Sequence, residues 1–257
     1  MPESNTGNED YSMQSDGTEM AGSIDKAING EYTFSIRATL SEAWDKTNGA
    51  KWPIHLAFLY YFLVFLAVII VGVIASVALT AAPGMSDPSG SFLMQLLLQI
   101  GINLIALPMM LGIIIMGIQR SVDVPINANS VFMYFPDMFN LLLTMIIMSL
   151  MIAIGFILLI IPGIYLAVAY YMALPLVVEK GMSPWQALET SRKAVSHHWF
   201  RMAGFFIVVS IILTISIIPF GIGLIWSLPL FIIAYGIIYR NMFGVETSTV
   251  HIEQEQY

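Results

Sequence analysis

Two long apolar runs, at residues 54–80 and 92–118, dominate the first half of the hydrophobic pattern. Neither run contains an Asp, Glu, Lys or Arg. A helix needs about 20 apolar residues to cross roughly 30 Å of hydrocarbon, where lipid offers its backbone no hydrogen-bond partner. Each run is therefore predicted to be a membrane-spanning helix, and the turn-rich segment AAPGMSDPSGS at 81–91 is predicted to join the two.

Two further apolar runs, at 138–178 and 202–239, are each about twice as long as one span needs to be. A Pro-Gly segment interrupts each run near its middle, IIPGIY in the first and IIPFGIG in the second. Proline and glycine disfavour a continuous helix, so each run is predicted to be a hairpin. The predicted fold is an all-α integral membrane protein with six transmembrane helices in three hairpins, and the last four spans are 138–160, 163–178, 202–218 and 222–239.

Polar, acidic segments flank the predicted membrane domain at 31–240. Residues 1–30 are rich in Gly, Ser and Asn and carry six carboxylates against a single lysine. Such a composition cannot bury enough apolar surface to fold, so this segment is predicted to be a disordered cytoplasmic tail. Residues 241–257 are predicted to be a short second tail on the same side.

The basic residues of the predicted connecting segments predict the orientation of the chain. Lys and Arg of short loops concentrate on the cytoplasmic side of a membrane. With six spans, all of these residues fall on one face, and the opposite loops contain none: Lys46, Lys51, Arg120, Lys180, Arg192, Lys193, Arg201 and Arg240. Both termini are therefore predicted to be cytoplasmic.

A threefold internal repeat is predicted from two recurring features. TLSEAW from Thr39 and SPWQAL from Ser183 both fit a capping box at a helix start, and NANSVF from Asn127 is a weaker third copy. Each segment precedes one hairpin, so a short amphipathic interfacial helix is expected before each. In addition, the second helix of every hairpin contains a Leu-Pro pair, at Pro108, Pro175 and Pro229. Chance matching is the alternative explanation.

The amphipathic segments are predicted to form a cytoplasmic cuff at the membrane surface. On a helix that begins at Ser183, helical spacing brings tryptophan, leucine and arginine to one face. Tryptophan prefers the headgroup level, and arginine can extend its charge toward lipid phosphate. With the corresponding tryptophan of the first copy, the predicted cuff consists of Trp44, Trp185, Leu188, Arg192 and Trp199.

A polar stripe is predicted on the second span, where Gln95, Gln99 and Asn103 follow one another at helical spacing. One interpretation is a pathway for a small polar solute. The other, which we favour, is interhelical hydrogen bonding, which contributes about 0.6 to 2 kcal/mol per contact. The middle of every predicted span lacks acidic, basic and histidine residues, which disfavours ion-coupled transport.

Catalytic and metal sites are not predicted. The chain has no cysteine, so thiolate metal sites and cysteine nucleophiles are excluded. His197 and His198 point about 100° apart on a helix, unlike the i,i+4 pairs of metal sites, and they are expected to face headgroups. Glu179 is expected either to pair with Arg192 or Arg201, or to be a solvated charge. No cofactor is predicted, and the net charge of -7 argues against a nucleic-acid partner.

The segment LLIIPGIYLAVAYYMALPLVVEKGMSPWQALETSRKAVSHHWFRMAGFF at 158–206 resembles a bacterial membrane-domain family. The shared pattern comprises the Pro-Gly hairpin, Pro175, Glu179, the Ser-Pro helix start and the spacing from Ala187 to Ser191. The family includes the membrane domain attached to some glycerophosphodiester phosphodiesterases and many stand-alone six-helix inner-membrane proteins. The resemblance implies a fold and a location. It implies no activity, because the His-Arg-Gly and Glu-x-Asp motifs of the separate catalytic barrel have no match here.

Two hypotheses of function follow from these patterns. The first is a non-enzymatic, multi-pass protein of the bacterial inner membrane, an accessory or scaffold whose cuff meets phospholipid headgroups, a protein partner or a second copy. The alternative is a small-molecule or lipid transporter that uses the stripe Gln95, Gln99 and Asn103. An intramembrane enzyme has the least support.

Overall fold

The computed structural model describes residues 22–81, 88–247 and 249, and within them it is an all-α fold with six spans long and apolar enough to cross a membrane. The predicted multi-pass membrane fold is thus confirmed. Five spans are single helices, and the fourth is divided into α6 and α7. The bounds of these helices are Lys51–Ala81 for α3, Pro88–Ser121 for α4, Met138–Leu158 for α5, Ile160–Ala169 for α6, Ala173–Glu179 for α7, Trp199–Ile217 for α9 and Leu224–Phe243 for α10.

The shorter helices precede or flank the spans. They are Ile24–Ile28 for α1, Ile36–Lys46 for α2 and Pro184–His197 for α8, together with the 3-10 helices Ala128–Phe132 and Phe135–Asp137 before α5. A short helical segment therefore stands before each hairpin, as the repeat predicts. The third copy is 3-10 rather than α, with the Asn127 side chain accepting from the Asn129 N–H.

The two helices of every hairpin differ in burial in the same way. In the most apolar stretch of the first helices, α3, α5 and α9, only 11, 17 and 17% of the residues are buried inside the protein. The corresponding shares in the second helices are 44% in α4, 44% in α6 with α7, and 61% in α10. The second helices therefore form the centre of the bundle, and the first helices face lipid. This layout occurs three times, which supports the predicted repeat.

Two glycines set the closest contact in the centre of the bundle, between α4 and α10. A Cβ atom on Gly236 would lie 2.1 Å from the Gly117 carbonyl oxygen, and one on Gly117 would lie 2.2 Å from the Ile232 carbonyl oxygen. Only residues without a side chain allow two membrane helices to approach this closely. The crossing of α4 and α10 therefore depends on glycine at both positions.

Two of the predicted helix-start and helix-break signals lie elsewhere than expected. The predicted capping box at Thr39 is wrong, because α2 begins at Ile36 and Thr39 is buried inside the helix. Pro162 and Gly163 lie in the first turn of α6 rather than in the hairpin turn, which is at Leu159. Gly163 instead packs closely against Gly155 of α5. Ser183 does begin α8, where its N–H donates to Gln186 Oε1 at 3.2 Å.

Both predicted tails contain residues that are part of the fold. Within 1–30, helix α1 is ordered and Ala27 is fully buried, so the predicted disorder is wrong for residues 22–30. Helix α10 continues to Phe243, and both Val245 and Thr249 are buried. The remaining tail residues, 1–21, 248 and 250–257, and most of the first predicted loop, at 82–87, lie outside the described residues.

Replacing Gly236 by alanine is expected to destabilise the bundle by about 1–3 kcal/mol, because the added methyl group overlaps the backbone of α4. Gly101 is the matched control, since a Cβ there has no atom within 4 Å and alanine is the better helix former by about 0.5–1 kcal/mol. Thermal unfolding of both variants in the same detergent measures the difference. Equal stability of the two variants would contradict the assigned crossing.

Candidate functional site

The fourth span is interrupted at Tyr170–Met172, between the end of α6 and the start of α7. Ser191 of α8 is fully buried beside it and bridges the two sides of the break. Its Oγ donates to the Ala169 carbonyl at 2.6 Å and accepts from the Met172 N–H at 3.2 Å. One hydroxyl group therefore satisfies two backbone groups that the helix itself leaves free.

Two further side chains bind backbone carbonyls of the same span. Tyr235 of α10 donates its hydroxyl to the Tyr171 carbonyl at 3.1 Å, and the Trp199 Nε1–H donates to the Tyr165 carbonyl at 3.1 Å. Polar backbone without a partner is costly away from water. These contacts show how the chain tolerates a broken helix, and they join α8, α9 and α10 to it.

Helix α8 is part of the protein core on one face, which changes the interpretation of the cuff. Its buried residues include the small side chains Ala187, Ser191 and Ala194, so the buried face is rotated from the predicted one by about one residue, or ~100°. Leu188 is only 2% exposed and contacts protein rather than lipid, which corrects its assignment to an interfacial face, whereas Trp185 is 59% exposed.

The remaining cuff residues lie at the surface in different surroundings. Trp44 on α2 is half exposed, and Trp199 is the first residue of α9 rather than part of α8. Arg192 forms a two-point contact with Glu189, with Nε and Nη2 at 2.9 and 2.7 Å from the carboxylate oxygens. This hydrogen bonding lowers the pKa of Glu189, so the pair stays charged at neutral pH.

Arginines at the ends of α4 and α10 bind backbone carbonyls of neighbouring helix ends. Arg120 donates to the Lys46 and Asn48 carbonyls at 3.0 and 2.7 Å. Arg240 donates to the Ser121 carbonyl and pairs with Glu42 of α2 at 2.9 Å. A helix C-terminus leaves its last carbonyls free and favours a cation. These arginines therefore connect α2, the end of α4 and the end of α10, which belong to the end of the bundle where the Lys and Arg residues lie, here called the basic end.

Glu179 does not pair with either arginine that was expected. Its carboxylate accepts from the Tyr239 hydroxyl at 2.8 Å and from the Glu246 N–H, and it lies 3.5 Å from Lys180 Nζ. Its side chain is fully buried. Glu179 therefore holds the segment that follows α10 instead of joining the cuff to the bundle.

The adjacent histidines bind the N-terminal segment rather than headgroups. His197 Nε2 lies 2.8 Å from the Ile28 carbonyl, and His198 Nε2 lies 3.0 Å from the Tyr32 carbonyl. The Tyr32 hydroxyl donates to the Ala194 carbonyl at 2.9 Å, and burial raises its pKa. No cluster of three metal-ligating side chains occurs in the described part of the chain.

The polar stripe lies on the outer surface of α4. Gln95 and Gln99 are exposed and Asn103 is half-buried, and the Asn103 Nδ2–H donates to the Gln99 carbonyl at 2.8 Å within the same helix. The apolar cavities at Val68 and at Gly72, between α3 and α4, are not lined by these amides. Among the described residues, the stripe therefore lies outside these two cavities and away from the centre of the bundle.

Comparisons with known proteins add no relative. No protein-family model, no curated protein and no solved structure matched the chain.

Replacing Ser191 by alanine is expected to lower stability by about 1–3 kcal/mol, because it leaves buried backbone groups at Ala169 and Met172 without a partner. Ser149→Ala is the matched control, since the Ser149 hydroxyl donates only within its own helix, to the Met145 carbonyl, and is exposed. Thermal unfolding in detergent compares the two variants. A cost at Ser191 no larger than that at Ser149 would show that the break does not need the serine.

Proposed function

We propose that the protein is a non-enzymatic scaffold of the bacterial inner membrane, with both termini and the basic end of the bundle in the cytoplasm. All ten Lys and Arg residues of the chain lie in α1, in α2, in α8 or at the end of a span next to them. Cations concentrate on the cytoplasmic side of inner-membrane proteins, which supports this orientation.

The observation that supports this proposal most directly is that the basic end forms a folded layer in which several polar side chains make contacts within the protein. Ser191 bonds the broken span, Arg120 and Arg240 bind carbonyls, and Glu179 binds the segment after α10. A catalytic centre or a solute path needs polar groups that are free to bind something else. A rigid surface for contacts with other molecules does not.

Exposed aromatic side chains surround this layer and supply the contact surface. Trp44, Trp52, Trp185 and Phe200 are all exposed. Tryptophan is enriched both at headgroup level and in protein interfaces, so headgroups and a protein partner are the contacts that the proposal names.

The resemblance of residues 158–206 to the bacterial membrane-domain family is kept as part of the proposal. That segment contains the break at 170–172 and Ser191, so its pattern has a structural explanation that needs no catalysis. The transport alternative finds no comparable support, because Gln95 and Gln99 are exposed on the outer side of α4.

A photo-crosslinking amino acid at Trp185 is expected to form a protein adduct of defined mass in intact cells, because this exposed side chain belongs to the proposed contact surface. The matched control is Val71, which is exposed on the outer helix α3 and is expected to form lipid adducts only. Electrophoresis and mass spectrometry identify the adducts. Lipid adducts alone at both positions would contradict the scaffold.

Orientation is tested separately, since the chain contains no cysteine. A membrane-impermeant maleimide added from outside is expected to label Asp87→Cys in intact cells, and Lys193→Cys only after permeabilisation. Labelling of both positions from the same side would contradict the proposed crossing of the membrane.

A further inference from the structure

An open groove of about 550 Å³ lies where the segment before α2 meets the first turn of α9. Packing of Ile36 next to Gly204 holds α2 against α9 beside it. The groove is lined by Thr33, Phe34, Ser35, Ile36, Arg37 and Arg201. It is therefore rich in hydrogen-bond donors, and its two charged residues are both cations.

The two arginines of the groove differ from those that tie the basic end together. Within the part of the chain that the structure describes, neither Arg37 nor Arg201 forms a side-chain ion pair or hydrogen bond, whereas Arg240 pairs with Glu42. The Arg201 guanidinium lies 5.9 Å from the centre of the Phe34 ring, and Phe34 is buried. A cation–π contact of this kind positions the charge without neutralising it.

The start of α2 adds to the positive character of the groove. The Ser35 side chain makes no capping hydrogen bond, so it does not occupy the amides of the first turn. A helix N-terminus favours an anion, and the planar guanidinium group matches phosphate oxygens in a two-point geometry. The ligand chemistry that fits this combination is a phosphate group.

The position of the groove at the end of a membrane span indicates where that phosphate comes from. Arg201 is in the first turn of the spanning helix α9, next to Phe200, which is 86% exposed. A cation at the end of a span lies at headgroup level. We propose that the groove binds the phosphate of an anionic phospholipid headgroup. This inference rests on the proposed function only in placing this end of the bundle among headgroups.

The test measures binding of phosphatidic acid to the full chain in detergent by native mass spectrometry, with phosphatidylcholine as the comparison lipid. The wild-type chain is expected to bind phosphatidic acid preferentially. The double variant Arg37→Gln and Arg201→Gln is expected to bind it about tenfold more weakly or worse, because two charge-assisted contacts are lost. Lys26→Gln with Lys51→Gln removes the same charge from outside the groove and is expected to retain binding.

Thermal unfolding of all variants shows whether they remain folded, and inorganic phosphate as a competitor distinguishes the sources of the ligand. Displacement of the lipid by millimolar phosphate assigns the groove to free phosphate and overturns the lipid assignment, and retention of the lipid supports it. Equal binding by both double variants, or equal loss in both, overturns the groove as the site. Lipid binding in the groove without a protein adduct at Trp185 would contradict the proposed scaffold function but support the lipid site.

Discussion

A backbone amide or carbonyl inside a membrane must find its hydrogen-bond partner within the protein, because hydrocarbon supplies none. The six spans meet this requirement along most of their length by being helices. The break at 170–172 does not, and there Ser191 and Tyr235 provide the missing bonds. At the basic end, Arg120 and Arg240 bind helix-end carbonyls, which are left free by the helix and favour a cation. The short helices at the basic end are thus part of the bundle, not additions to its surface.

This use of polar groups bears on function. Most of the buried polar side chains around the fourth span are hydrogen-bonded to backbone or to each other. Glu179, for example, accepts a hydrogen bond from the Tyr239 hydroxyl. What stays available at the basic end is a set of exposed aromatic residues and a groove with two arginines that have no acidic partner among the described residues. Both features suit contacts with headgroups and partners, which is why a scaffold is the function we propose.

The sequence predicts the spans well because length and uninterrupted hydrophobicity decide them. The break at 170–172 lies one turn before Pro175, which has no N–H for the Tyr171 carbonyl and whose ring disfavours a regular helix there. The sequence therefore indicates an irregularity near Pro175, but it does not reveal that Ser191 of α8 and Tyr235 of α10 supply the missing hydrogen bonds. The face of α8 was misassigned because its large residues suggested an interface. Its small residues Ala187, Ser191 and Ala194, at helical spacing, indicate close packing and could have revealed the buried face. The Arg37 groove, in contrast, exists only through tertiary packing.

Hydrogen exchange of the Met172 amide in lipid nanodiscs tests most directly whether the broken span is closed by its neighbours. If the Ser191 hydroxyl accepts from this amide as the structure has it, the amide exchanges as slowly as those inside α6 and α7. Exchange as fast as that of the exposed residue Gly181 would mean that the break is open to water, and the account of this end of the bundle would be wrong.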